Sequence, residues 1–378
     1  MEVSPTAGFE AIALFSSDNN SSLLIAGAGD GGVTIYDKDL KATARLLLPA
    51  AVVSLSLAPG DQKEVLAGLA DGSIFRLRSD LSKSLLLSEN HASCVVAVSY
   101  PPGVSDTFAT ASLDRTLRIW DANEYSCKST AKIKDAGDPA CLVFTLDFLV
   151  SGWTDGQIRA HADAKLLWSL ENAHRNGVSA LLVSKNTRFI VSGGNDGDVR
   201  VWDIATRRLV SHLKEHRSRV SCLALYDDNL RCLSCSRDKS FLSWDLQKEK
   251  RTTSHAQRMG AINSIALAKD QTSVYTVGQE KRLTKWDLRR PHFQDQADLD
   301  RENSQSDEAN CVALSHSGQI VATGGTQKTL KLWKTTCDVF ATLQCHSAPI
   351  TDLKFSPDDK QLVTVGQDGL IFVMNLFC

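Results

Sequence analysis

The sequence predicts an all-β fold, a β-propeller assembled from nine copies of one four-stranded unit. Three observations carry this: a turn residue recurring at nearly constant spacing, strands alternating in polarity with period two, and Asp-Gly turns between them. At 378 residues the chain exceeds the size at which one hydrophobic core stops growing, so several cores or a repeat architecture are required.

The recurring unit is a short apolar run, two or three small residues, an acidic turn, an alternating strand and often Trp-Asp. Its clearest copies run from Phe108 to Asp121, from Ile190 to Asp203 and from Cys232 to Asp245. The turn markers are Asp30, Asp71, Asp114, Asp155, Asp196, Asp238, Glu280, Gln327 and Asp368, with successive spacings of 41, 43, 41, 41, 42, 42, 47 and 41. A period of 40–45 residues with this composition is that of WD repeats, which the sequence resembles from the first unit to the last.

Within each unit, Val33 to Tyr36, Leu117 to Trp120 and Val199 to Trp202 read as half-buried antiparallel strands. Asp-Gly at 30–31, 71–72, 155–156, 196–197 and 368–369 suits hairpins that need positive φ. His91, His174, His216 and His346 each precede by four residues a Val or Ile that opens a strand. In WD repeats such a histidine joins a strand Ser or Thr, the turn Asp and the Trp in a structural tetrad. The resemblance therefore implies His216, Ser234, Asp238 and Trp244 as one such set, a rigidifying polar network rather than a catalytic triad.

The pattern weakens at Leu77 and Met374, which replace Trp, and after Ile158 to Ala160, where Trp-Asp is missing. The longest spacing falls on residues 291–310, a polar, acidic stretch expected to be an exposed loop.

Composition excludes several function classes. A net charge of −2 provides no basic field for nucleic acid. Residues 1–17 lack the features of a secretory signal, and no apolar run is long enough to span a bilayer as a helix, so no membrane partner is expected. Ten scattered cysteines, several inside apolar runs, read as reduced thiols of a cytoplasmic or cytoskeletal protein. Cys232 and Cys235, three apart on one strand, point to opposite faces and are expected to pack rather than chelate. The glycine-rich runs 27–32 and 193–197 join strand to strand and lack the helix N-terminus that cradles phosphate. No cofactor, metal or enzymatic activity is expected.

Two resemblances suggest a role. Trp286-Asp287-Leu288-Arg289 resembles the box by which some WD proteins dock on the adaptor of cullin-type ubiquitin ligases, implying contacts from Trp286, Asp287 and Arg289. Arg289-Arg290 reads otherwise as a solvated surface pair. Val150-Ser-Gly-Trp-Thr-Asp-Gly-Gln-Ile-Arg-Ala160, Asn172-Ala-His-Arg-Asn-Gly-Val-Ser-Ala180, Ser192 to Trp202 and Leu213 to Cys222 resemble the C-terminal half of the cilia- and flagella-associated protein 52 family.

That second resemblance implies a microtubule inner protein of ciliary and flagellar doublets. Its partners would be tubulin of the B-tubule and other inner proteins near the inner junction, and its role would be axoneme stability and motility. It also implies two propellers in tandem. Nine units then divide into residues 1–82, two blades ending a partial first propeller, and residues 83–378, a seven-bladed ring. The remaining blades are expected in a longer native chain or in another polypeptide.

Overall fold

A computed structural model describes residues 9–16, 22–37, 39–57, 64–78, 80–88, 90–133, 136–257, 259–290, 293–298 and 308–376. They form nine antiparallel sheets, each a meander in which consecutive strands pair, and no helix occurs among them. Eight sheets have four strands and the ninth, Ile350–Phe355, Gln361–Gly366 and Ile371–Asn375, has three. These sheets are propeller blades, numbered one to nine here in chain order.

The chain divides into two compact units, Met1–Ala92 and Ser93–Cys378. The first holds blades one and two, which share a core of Ile25, Val33, Ile35, Val52, Val65 and Leu77. The expected division near residue 82 would cut between Ile74–Arg78 and Ser84–Ser88, which are paired in the second blade. Backbone hydrogen bonding therefore keeps Ser84–Ser88 with the first unit.

The second unit contains blades three to nine. Their innermost strands are Val95–Ser99, Pro139–Phe144, Val178–Val183, Val220–Leu225, Ile262–Leu267, Ala309–Leu314 and Ile350–Phe355. Each packs against the next, and the last packs against the first. Val95, Val98, Phe108 and Trp120 of the third blade thus share a core with Val363 and Val365 of the ninth. Gln361 donates to the Ala122 carbonyl at 3.2 Å across the same junction.

The second strand of a blade lies between neighbouring blades, so both its faces are covered. Phe108 to Ser112, Ile190 to Gly194 and Leu362 to Gly366 are buried at every residue. Radial stacking is the reason: a face that would meet water in a lone sheet meets the adjacent blade.

One turn geometry recurs in all nine blades. The residue after the turn marker has positive φ, whether it is glycine, as at Gly31 (82°) and Gly197 (83°), or Arg115 (63°), Lys239 (74°), Lys281 (63°) and Lys328 (69°). Asp-Gly is thus the relaxed version of a turn that four blades build with a long cation.

The stretch after Pro291 corrects an expectation. Phe293–Asp298 is the outer strand of the seventh blade, paired with Arg282–Asp287, rather than part of an exposed loop. It is the last strand of its sheet, paired along one edge only, a position that tolerates the polar composition of a loop. Residues 291, 292 and 299–307, the rest of that acidic stretch up to Glu308, lie outside the described residues.

Candidate functional site

The polar residues singled out by the repeat assemble at the blade turns. His216, in the segment entering the sixth blade, faces Asp238 through Nδ1 at 2.9 Å and Ser234 Oγ through Nε2 at 2.7 Å. Trp244, on the third strand, donates its indole N–H to the same Oγ at 2.7 Å. In the fifth blade His174 lies 3.1 Å from Asp196 and 2.8 Å from Ser192, which accepts from Trp202 at 2.9 Å. In the ninth, His346 joins Asp368 and Thr364, each at 3.0 Å, with Met374 at the Trp position.

Burial alone would raise the Asp238 carboxyl, but hydrogen bonds from His216, Ser240 and the Arg217 amide outweigh it and hold it far below the ordinary range. Asp368 is lowered in the same way by His346 and the Ser347 and Leu370 amides. Burial lowers His174 despite the carboxylate beside it. The Ser-His-Asp order imitates a catalytic triad. Ser234 is nevertheless fully buried and its oxygen already accepts the Trp244 N–H, so no substrate carbonyl could reach it.

The other turn acids serve the same local end with different partners. Asp30 accepts from Gly32 N at 2.9 Å and Arg45 at 2.7 Å, Asp71 accepts from Ser73 and Asp114 from Thr116. Asp155 accepts from Gln157 N at 2.9 Å and Arg159 at 2.6 Å. Glu280 accepts the Met259 amide at 3.0 Å, as Asp238 accepts that of Arg217. His91 is buried at the end of the first unit.

The fourth blade solves the problem differently. His161 occupies the place that Trp120, Trp202 and Trp244 hold in their blades, and no histidine precedes the blade. Trp153, two residues before the turn acid, instead turns its indole onto Ser151 Oγ at 2.8 Å. It is fully buried, with the Arg159 guanidinium 5.0 Å above its ring. Blades preceded by a histidine keep this position small: a Cβ on Gly194 would lie 2.2 Å from His174, so a large residue, such as Trp153 here or Leu69 in the second blade, fits only where the histidine is missing.

Sequence reasoning missed a second polar set, on the inner strands. Ser179 donates to Val220 O, Ser221 to Ile262 O, Asn263 to Ala309 O, Asn310 to Ile350 O and Thr351 to Val95 O. Each bond stitches one blade to the next, and the last joins the ninth blade to the third. The signal was present as a polar residue second in each of those strands, but nothing in one strand says that its neighbour offers a carbonyl. The inner strands enclose a cavity of about 360 Å³ lined by Cys141, Cys222, Cys311, Asp352, Lys354 and Arg219 among others. Burial raises the Asp352 carboxyl, and the Asp352 charge raises Lys354.

The box from Trp286 to Arg289 is engaged internally. Trp286 is buried and donates to Thr276 Oγ1 at 2.7 Å, while Arg289 clasps the buried Asp287 carboxylate with two bonds of 2.9 Å. Only the Arg289 side chain is open to a partner. Exposed apolar pairs lie elsewhere, on outer strands: Leu166 and Leu167, Leu209 and Val210, Val339 and Phe340.

The WD domain, G-beta repeat family matches residues 82–121, 164–203, 207–245, 301–334 and 337–375, together about half of the chain. Cilia- and flagella-associated protein 52 of Chlamydomonas reinhardtii is 28% identical over 368 residues, covering 93% of this chain and 57% of that protein. The human protein of the same name is 29% identical over 204 residues, 51% of this chain and 32% of its own length. Autophagy-related protein 16 of Arabidopsis thaliana is 24% identical over 204 residues, 52% of this chain and 39% of that protein. The chain thus spans about a third to somewhat over half of these relatives.

Proposed function

This chain belongs to the WD-repeat family, and on that premise we propose that it is a non-enzymatic structural scaffold of cilia and flagella. The observation that carries the proposal is the similarity to the algal cilia- and flagella-associated protein over 93% of the chain, through both compact units. A match confined to generic repeat positions would favour any WD protein equally. This one runs over 93% of the chain, well beyond the half that the WD-repeat model matches.

In this reading the protein is a microtubule inner protein, bound to tubulin of the doublet B-tubule and to other inner proteins near the inner junction. Residues 93–378 form a complete seven-bladed ring, and the first 92 carry the last two blades of another. A scaffold needs rigid blades and apolar patches, and both have counterparts here. Hydrogen bonds consume the buried turn residues, while Leu166, Leu167, Val339 and Phe340 leave apolar surface on outer strands. A net charge of −2 suits a luminal binder, which does not meet the acidic tubulin tails outside.

Fractionation of flagella tests this. The protein is expected to remain with salt-washed axonemal doublets and to crosslink to tubulin. Recovery wholly in the detergent-soluble fraction would overturn the proposal.

A further inference from the structure

Three inner strands of the second unit carry cysteine at the same register position: Cys141, Cys222 and Cys311. Two face glycine on the paired second strand. A Cβ placed on Gly152 would lie 2.6 Å from the Cys141 sulfur, and one on Gly324 would lie 2.9 Å from that of Cys311. These thiols occupy space that a facing side chain would need. Cys222 is the exception, because the residue directly opposite it is Cys235.

We propose that Cys222 and Cys235 are a redox-active dithiol that closes to a disulfide within the sixth blade. Directly opposed residues of an antiparallel pair have Cα atoms about 4.5–5.5 Å apart. A disulfide accepts about 4.4–6.8 Å between Cα atoms, so the pairing suits the bond, with the Cβ atoms, about 4.5–5.5 Å apart in such pairs, drawing in by about 1 Å. Cys232 is no competitor, since it lies three residues away on the same strand and faces the other side.

Access sets the order of events. Cys222 lines the central cavity and is partly open to it, whereas Cys235 is fully buried, so a small oxidant meets Cys222 first. The Cys235 S–H and the nearby Lys354 charge lower the Cys222 thiol against its burial. Burial pushes the Cys235 thiol up.

With a hydroperoxide as oxidant, the Cys222 thiolate attacks the terminal peroxide oxygen. The O–O bond breaks, the other oxygen leaves as alcohol or water, and Cys222 becomes a sulfenic acid. The Cys235 sulfur then attacks the Cys222 sulfur. Hydroxide leaves, takes up the Cys235 proton and departs as water. Two thiols and one hydroperoxide thus give one disulfide, one alcohol or water from the peroxide, and one water. The bond crosslinks the inner hairpin beside Ser221, whose hydroxyl ties the sixth blade to Ile262 of the seventh.

The test uses the full chain, reduced, freed of reductant, exposed to hydrogen peroxide and blocked with N-ethylmaleimide after unfolding. The thiol count is expected to fall by two from ten. Peptide mapping is expected to find Cys222 linked to Cys235 with loss of two hydrogens, and the count of the Cys222→Ala and Cys235→Ala variants is not expected to fall by such a pair. Both variants should fold, because Ala97 and Ala180 occupy the first position in other blades and Ala111 the second. Full labelling of both cysteines after oxidation would overturn the proposal. So would a sulfinic acid at Cys222 with Cys235 still free, or a link to any other cysteine.

Discussion

Trp153 donates its indole N–H to Ser151 Oγ at 2.8 Å, two residues away on one strand. In the fifth and sixth blades the corresponding serine takes its indole from a Trp ten residues later. One residue therefore fills the space of the absent histidine and supplies the bond of the absent Trp. Trp153→Ala should lower the unfolding free energy by about 3–5 kcal/mol, as expected for a large buried aromatic. Trp153→Phe, which keeps most of the volume but removes the N–H donor to Ser151 Oγ and leaves only that hydroxyl's own bond to Arg159 O, should cost about 1–2 kcal/mol. Urea unfolding of both variants measures this, and a Trp153→Phe protein as stable as the parent would show that the hydrogen bond contributes nothing.

Asp238 gives the blade turns an acid sensitivity. Its folded carboxyl lies below the unfolded value near 4, so its stabilisation is complete above that value. As pH falls from about 4 towards the folded value, the unfolded state binds the extra proton first and the stabilisation is lost. Asp238→Asn should therefore be less stable than the parent at pH 7, with the gap narrowing at pH 3. Paired denaturant titrations at the two pH values check the sign.

His161 acts in a milder window. Burial, with a smaller contribution from the Arg159 charge, pushes it down to about 4, and its ring is almost fully enclosed. Between about pH 6.5 and 4 the unfolded chain takes up a proton that the folded chain refuses, so stability declines as pH falls through that range. His161→Gln should flatten the decline, by no more than about 3 kcal/mol over the whole window. A variant whose stability curve runs parallel to the parent's would rule this out.

Lys281 sits at φ 63° where five other blades place glycine, as at Gly31 and Gly197. A left-handed non-glycine residue costs roughly 1–2 kcal/mol, partly offset by the smaller entropy of its unfolded chain. Lys281→Gly should raise thermal stability, by about 0.5–1 kcal/mol after that offset. An unchanged or lower Tm would mean that the lysine side chain contributes contacts worth the strain.

Much of the fold was legible because the repeat is redundant. Nine turn markers at one period leave few architectures open, and the spacing of His216, Ser234, Asp238 and Trp244 matches the strands and turn that bring them together. The outer strand Phe293–Asp298 was missed because a last strand, paired along one edge only, tolerates the composition of a loop. Trp153 was visible as an unusual residue but not as a replacement, because its meaning depends on the vacancy left by a histidine in three dimensions.

The sequence by itself determined the unit, its number and its turns, because hairpin formation is local and each strand carries its own alternation. Only the tertiary structure decided what the units do to one another: that Thr351 reaches Val95 from the far end of the second unit, and that Cys222 meets Cys235 rather than glycine. Those outcomes rest on register and radial packing between strands. Period alone leaves both unspecified, since a one-residue slip would keep the repeat and change every neighbour.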